Sequence, residues 1–172
     1  CIRKNASGAY GSDSLWLEKE PDSQYVLKEL FTYDLNKYEE IVFCGYGEPL
    51  ERYDTLIEVA KKIKEKSDIK IRINTNGHGN HIAKRNIVPD LKSCIDEISI
   101  SLNAPDEKSY NELCKPNFEG AFFEMLDFAR LCVKENIDTV LSVVRVISDE
   151  DVERCRQIAK DIGAKFRVRE KD

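Results

Sequence analysis

The sequence predicts an α/β fold whose parallel strands form an open sheet or part of a barrel. Short runs of period-two or continuous apolar residues alternate with stretches of helical period along the whole chain, and strand followed by helix in repetition implies parallel strands joined by crossovers. The chain has 172 residues, whereas a complete eightfold barrel takes about 250, so a closed barrel is excluded. The strands also read as apolar on one face and polar on the other. A parallel sheet covered on both faces is nearly continuously apolar, and a closed barrel fills its lumen with branched apolar side chains. The pattern therefore predicts helices on the convex side and a polar, ligand-sized hollow on the concave side.

In chain order, the expected elements are a helix over Asp22 to Thr32, a strand over Glu40 to Gly45, a helix over Arg52 to Lys66 and a strand over Lys70 to Asn74. In that second strand Ile71 and Ile73 oppose Arg72 and Asn74. A short irregular helix near Pro89 to Cys94 leads to a strand over Glu97 to Asn103, where Ile98, Ile100 and Leu102 oppose Ser99, Ser101 and Asn103. Helices over Asp106 to Cys114 and Ala121 to Asn136 precede a strand over Thr139 to Ile147. The last helix, Asp149 to Ile162, carries Val152, Cys155, Ile158, Ala159 and Ile162 on one face. Ser148 is placed to cap it, with Asp151 at the third helical position, and Gly163 sits where a left-handed residue ends a helix. A strand over Lys165 to Arg169 closes the pattern.

Composition fits one compact domain over residues 1–172: 41% of residues are hydrophobic and 34% charged. The net charge of -5 is not gathered in blocks, which gives no nucleic-acid footprint. The longest apolar run, Thr139 to Ile147, is too short to span a bilayer and is broken by Ser142 and Arg145. A soluble, cytoplasmic protein is expected. Six cysteines, at 1, 44, 94, 114, 132 and 155, form no Cys-x-x-Cys pair, so neither a disulfide framework nor a zinc knuckle is written here. Cys44, Cys132 and Cys155 read as small buried hydrophobes of a reducing compartment. Cys1 lacks such a context and heads a chain without an initiator methionine. Of an acylated lipoprotein cysteine and a chain whose upstream residues are missing, the second is expected, because Ile2, Arg3 and Lys4 make a poor flexible tether.

Ligands of parallel α/β folds sit at the carboxyl ends of the strands. Those ends read Gly45-Tyr46-Gly47-Glu48-Pro49, Asn74-Thr75-Asn76-Gly77, Ser101-Leu102-Asn103-Ala104, Arg145-Val146 and Arg169-Glu170. Gly45 and Gly47 allow close approach of a ligand to the backbone, and Glu48 can accept from an ammonium group; equally, the segment is a strand-to-helix turn with an acid near a helix N-terminus. Asn76-Gly77 taken alone is an ordinary turn. Arg145 can pair with a carboxylate or phosphate, or be a solvated strand end. His78 and His81 share one loop without a third ligand nearby, so His78 faces substrate or solvent rather than a metal.

Taken together these residues resemble the radical S-adenosylmethionine (radical SAM) superfamily. The segments Gly11 to Leu17, Ile41 to Pro49, Ile73 to Gly77, Ser99 to Pro105 and Leu113 to Pro116 are most similar to its TatD-associated members. The resemblance implies a partial (β/α)6 TIM-like barrel whose first strand would precede residue 1. In the superfamily three cysteines in C-x3-C-x2-C hold a 4Fe-4S cluster. Cys1 resembles the third, and the other two would lie upstream, so residues 1–172 by themselves are not expected to hold a complete cluster. The resemblance makes Gly45, Tyr46, Gly47 and Glu48 the contact for the SAM amino group, with Tyr46 where a second glycine is common. It makes Asn74, Asn76, Ser101 and Asn103 contacts for ribose and methionine; Arg145, read from its strand-end position, is a further cofactor-binding candidate on the rim.

The implied reaction is reductive cleavage of SAM to a 5'-deoxyadenosyl radical acting on a substrate that the sequence does not identify, with a TatD-type hydrolase as partner or pathway neighbour. Two other readings of the same rim are a non-redox nucleoside or amino-acid binding module and a conventional α/β hydrolase or lyase using Glu48 and His78 as acid and base.

Overall fold

The computed structural model describes residues 7–8 and 12–170. Five parallel strands stand in sequence order across one sheet: β1 Glu40–Phe43, β2 Lys70–Thr75, β3 Glu97–Ser101, β4 Asp138–Val144 and β5 Lys165–Arg169. The helices are α1 Ser23–Leu30, α2 Tyr53–Lys64, α3 Gly79–Ala83, α4 Val88–Lys92, α5 Glu107–Cys114, α6 Ala121–Lys134 and α7 Asp149–Ile162. Short 3-10 turns occupy Leu35–Lys37 and Pro49–Arg52. The expected fold class is the observed one.

The last helix forms as its sequence dictates. Ser148 Oγ accepts the Asp151 N–H at 3.1 Å, and Gly163 closes the helix at φ 85°. Likewise Asp22 caps α1 through the Tyr25 N–H and Asp106 caps α5 through the Ser109 N–H, satisfying amides that the first turn leaves without partners.

Three strands end earlier than their apolar runs. β1 stops at Phe43 because Gly45 turns back to bridge Gly47. Beyond β3 the N–H groups of Leu102 and Asn103 both point at Ser142 O, and Asn103 adopts φ 62°. β4 turns after Val144, where the Val146 N–H bonds back to Val144 O. The helix expected from Arg52 starts instead as the 3-10 turn Pro49–Arg52. The short helix α3 has too few residues to show a period in sequence.

The period-two pattern holds in β2, β3 and β5, while β1 and β4 are apolar on both faces in part. Residues paired in register share a face, so Ile41, Ile71, Ile73, Ile98, Ile100, Leu141, Val143, Phe166 and Val168 form one apolar surface. Ile71, Ile73, Ile98, Ile100, Leu141 and Val143 have no exposed area, and each side chain of this size contributes about 1.5–3 kcal/mol on burial. Helices α2, α4, α6 and α7 cover them with Val59, Ala60, Ile63, Leu91, Met125, Phe128, Cys132, Cys155 and Ala159. Cys132 and Cys155 are buried as expected, but Cys44, two residues beyond Val42 on the opposite face, is exposed. No described helix is long and apolar enough to cross a membrane.

The opposite face carries Glu40, Lys70, Arg72, Asn74, Glu97, Ser99, Ser101, Ser142 and Arg167, together with Val42, Val140 and Val144 from the two strands that do not alternate. Its charges pair across strands: Arg72 with Glu40, and Lys70 with Glu97. Glu40 is held below the usual glutamate value, first by its hydrogen bond from Arg72 and to a lesser degree by Lys70 and Arg167. Arg167 lies on the same face of the far edge strand β5.

Candidate functional site at the carboxyl ends of the strands

Glu48 joins the ends of β1 and β2. Its Oε1 accepts the Leu50 N–H at 3.1 Å and the Thr75 hydroxyl at 2.7 Å, while Oε2 accepts the Asn76 N–H at 2.8 Å. A carboxylate offers about four lone-pair sites, so little remains for an incoming ammonium group. Burial raises the Glu48 carboxyl above its ordinary range, against the opposing pull of the Asn76, Thr75 and Leu50 donors. Thr75, absent from the expected site, is the hydroxyl that ends the Ile71, Ile73 face, and this polar interruption of an apolar alternation is the signal that marks it.

The turn after β2 is fixed by packing. Gly77 has φ 83°, and a Cβ there would come within 2.7 Å of Met125 Cγ and 2.9 Å of Ile100 Cγ2. Only glycine fits. Gly45 differs, because a Cβ built on it meets nothing closer than Gly47 N at 3.6 Å, an ordinary contact. An open cavity of about 450 Å³ lies beside this turn, lined by residues 15–17 and 20, by residues 45–49, and by Glu51 and Arg52. Trp16 meets Tyr46 edge to face, with centroids 5.3 Å apart, and the Tyr46 hydroxyl is buried without a hydrogen-bond partner.

The remaining candidates distribute along the strand ends. Asn74 and Ser101 lie on the polar face, Asn74 beside Ser99 and Ser101 beside Ser142. Asn103 places Nδ2 3.6 Å from Cys114 Sγ, and its Oδ1 is buried without a partner. Asn74, Ser101 and Asn103 do not line the cavity beside Glu48, which is built by the segment around Trp16 instead. Arg145 is exposed in the turn after β4 and is held by Asp149 at 3.0 Å and Glu170 at 3.2 Å. Arg145 thus stands at the rim with two exposed acidic partners of its own. Cys1 lies outside the described residues.

His78 is neither substrate-facing nor solvated. It is 7% exposed, and its Nε2 stands 3.0 Å from Ala121 O and 3.3 Å from the Tyr110 hydroxyl. A carbonyl only accepts, so Nε2 carries the proton. Phe118 packs edge-on to His78 and stacks on His81 at 3.7 Å. Burial lowers the His78 pKa. It is a packing residue under α5 and α6, which removes the acid and base pair of the hydrolase reading. Among the described residues no cluster of three or more His, Cys, Asp or Glu side chains is arranged to hold a metal, and burial pushes the Cys132 and Cys155 thiols up to about 12.

The family model described as the radical SAM superfamily matches residues 9–162. The chain belongs to the radical SAM superfamily. Members of this superfamily use a 4Fe-4S cluster and SAM. Curated relatives of the radical SAM chain include a probable dual-specificity RNA methyltransferase RlmN of Carboxydothermus hydrogenoformans, 32% identical over 54% of this chain and 28% of that protein. The RlmN of Nautilia profundicola is 25% identical over 78% of this chain and 39% of its own length. A putative glycyl-radical enzyme activating enzyme of Methanocaldococcus jannaschii is 30% identical over 72% and 51%. The chain thus spans between about a quarter and half of these relatives' lengths. Among solved structures, Streptococcus suis SuiB bound to precursor peptide SuiA superposes with a TM-score of 0.73 at 17% identity, covering 97% of this chain and 36% of that one. Native anSMEcpe with bound AdoMet gives 0.61 at 17% identity over 94% and 45%. These two share the fold of the radical SAM chain.

Proposed function

We propose that the chain is the catalytic core of a radical SAM enzyme that reductively cleaves SAM to start radical chemistry on a substrate. The observation that carries this reading is two buried polar atoms at the strand ends, the Tyr46 hydroxyl and Asn103 Oδ1, which have no partner among the described residues. Each unpaired group costs about 1–3 kcal/mol, and SAM bears the carboxylate, ammonium and ribose groups that would satisfy a donor and an acceptor. Gly45 fits the same reading, since its own packing leaves room for a side chain and the turn uses none.

In this proposal the 45–48 turn, Asn74, Asn76, Ser101 and Asn103 hold SAM, and Cys1 is one ligand of a 4Fe-4S cluster. When bound, the cluster supplies the electron, while the protein binds, orients and excludes water. Glu48 acts mainly by holding the two strand ends together, and Arg145 is left in its ion pairs. Within the superfamily we assign the chain to the TatD-associated members, on the segments Gly11 to Leu17, Ile41 to Pro49 and Leu113 to Pro116, with a cytoplasmic location and a TatD-type hydrolase as partner. The named relatives divide between RNA methylation and activation of glycyl-radical enzymes, so the substrate is not carried over from them.

The test is anaerobic reconstitution of the intact gene product with iron and sulfide, then reduction with dithionite in the presence of SAM. A brown protein that releases methionine and 5'-deoxyadenosine is expected. A protein that takes up the cluster yet leaves SAM intact would overturn the reading.

A further inference from the structure

The Asn74 side chain is polarised by its neighbours. Arg72, two residues earlier on the same strand face, directs Nη1–H at Asn74 Oδ1 over 2.9 Å. A guanidinium only donates, so the atom facing it is the amide oxygen. Arg72 is itself fixed, because Nε and Nη2 fork onto the two oxygens of Glu40 at 3.2 and 2.5 Å, an arrangement that sets orientation as well as strength. Glu97 closes the other side. It is 5% exposed, and its Oε1 has no hydrogen bond but lies 3.8 Å from Arg72 Nε.

Asn76 has the same polarity, since its Oδ1 accepts the His78 N–H at 2.9 Å. Nothing among the described residues accepts from Nδ2 of Asn74 or Asn76, and neither nitrogen is sealed from solvent. The end of β2 therefore shows two amide donors to the open side, next to a glutamate whose acceptor sites are nearly filled.

We propose that Arg72, anchored on Glu40, is a positioning residue that fixes Asn74 as a hydrogen-bond donor, so that Asn74 and Asn76 bind oxygen acceptors of SAM, its carboxylate or its ribose hydroxyls. This rests on the radical SAM reading for the ligand but not for the positioning. Arginine is required rather than lysine, because the fork on Glu40 aims the remaining Nη1 at Asn74, and an ammonium group has no such geometry.

Two measurements on the intact protein separate the halves. In the ligand-free protein with 15N-labelled asparagine, the Asn74 side-chain amide pair should exchange more slowly with solvent than in Arg72→Gln or Glu40→Gln, with thermal melts confirming that both variants fold. Identical exchange in the wild type and the two variants overturns the positioning. In the reconstituted protein, equilibrium dialysis should show Asn74→Ala and Arg72→Gln each weakening SAM about tenfold, Arg72→Lys falling between, and the double variant no worse than either single one. Additive losses, or full affinity in Arg72→Gln beside a loss in Asn74→Ala, overturn the coupling. With 5'-methylthioadenosine as second probe, which lacks the carboxylate, an equal loss on Asn74→Ala assigns the donor to the ribose, and no loss assigns it to the carboxylate. A wild type that binds neither compound overturns the ligand half together with the proposed function, while the exchange measurement still decides the role of Arg72.

Discussion

Replacing Glu48 by glutamine tests the joint between β1 and β2. The carboxylate accepts three hydrogen bonds, from the Leu50 N–H, the Thr75 hydroxyl and the Asn76 N–H. Glutamine keeps one acceptor oxygen and turns the other into an NH2 group. With the oxygen at the Leu50 and Thr75 position, the new amide faces the Asn76 N–H; flipped, it faces the Leu50 N–H. Either way one backbone donor loses its acceptor, at a cost of about 1–3 kcal/mol. The remaining bonds lose charge assistance, while removal of a half-buried charge returns part of that loss. A net destabilisation of about 2 kcal/mol is expected for Glu48→Gln, and about 3–5 kcal/mol for Glu48→Ala, which abandons all three donors. Urea unfolding reads this as a lower midpoint at unchanged slope. If Glu48→Gln matches the wild type, or Glu48→Ala is no worse than Glu48→Gln, the carboxylate is not the joint and is free for a ligand.

Gly77→Ala should destabilise by about 2–4 kcal/mol, because it combines a left-handed φ with overlap against Met125 and Ile100; a melting temperature equal to that of the wild type would contradict that packing. His78, whose folded-state pKa lies below the ordinary 6.5, gives stability that is complete above that value. As pH falls below 6.5 the unfolded chain takes up the proton first, so stability should decline toward the folded pKa and then level off; unfolding midpoints between about pH 8 and pH 5 should lose this step in His78→Gln. Gly47→Val should weaken SAM binding by the reconstituted protein with little change in melting temperature, and calorimetry showing unchanged affinity would return the 45–48 segment to the role of a plain turn.

Period-two alternation was enough to assign β2, β3 and β5 and their two faces, because in a parallel sheet the side-chain direction is set locally by the pleat. That is why Ile98 and Ile100 could be placed in the core and Arg72, Ser99 and Ser101 on the hollow side from sequence alone. By contrast, β1 and β4 were legible only as apolar runs, with Val42, Val140 and Val144 on the hollow side. Capping was equally legible at Ser148 and Gly163, where the chemistry lies within a few residues. Strand ends were not: β3 stops where the Leu102 and Asn103 N–H groups turn to Ser142 O of the neighbouring strand, and β4 stops at a turn closed on its own Val144 O that an apolar run does not announce.

The same division runs through the candidate site. The strand-end rule gathered the segments, because carboxyl ends of parallel strands converge whatever the side chains, and the resemblance to radical SAM proteins singled out Gly45 to Glu48, Asn74, Asn76, Ser101 and Asn103 within them. Only the tertiary structure decided what each has left to offer. Glu48 is nearly filled by donors 2, 27 and 28 residues away, Arg145 is held by Asp149 and by Glu170 from beyond the next strand, and His78 is buried against Ala121, 43 residues on. A side chain's free valence depends on partners that the fold brings from distant sequence, and no local pattern records them.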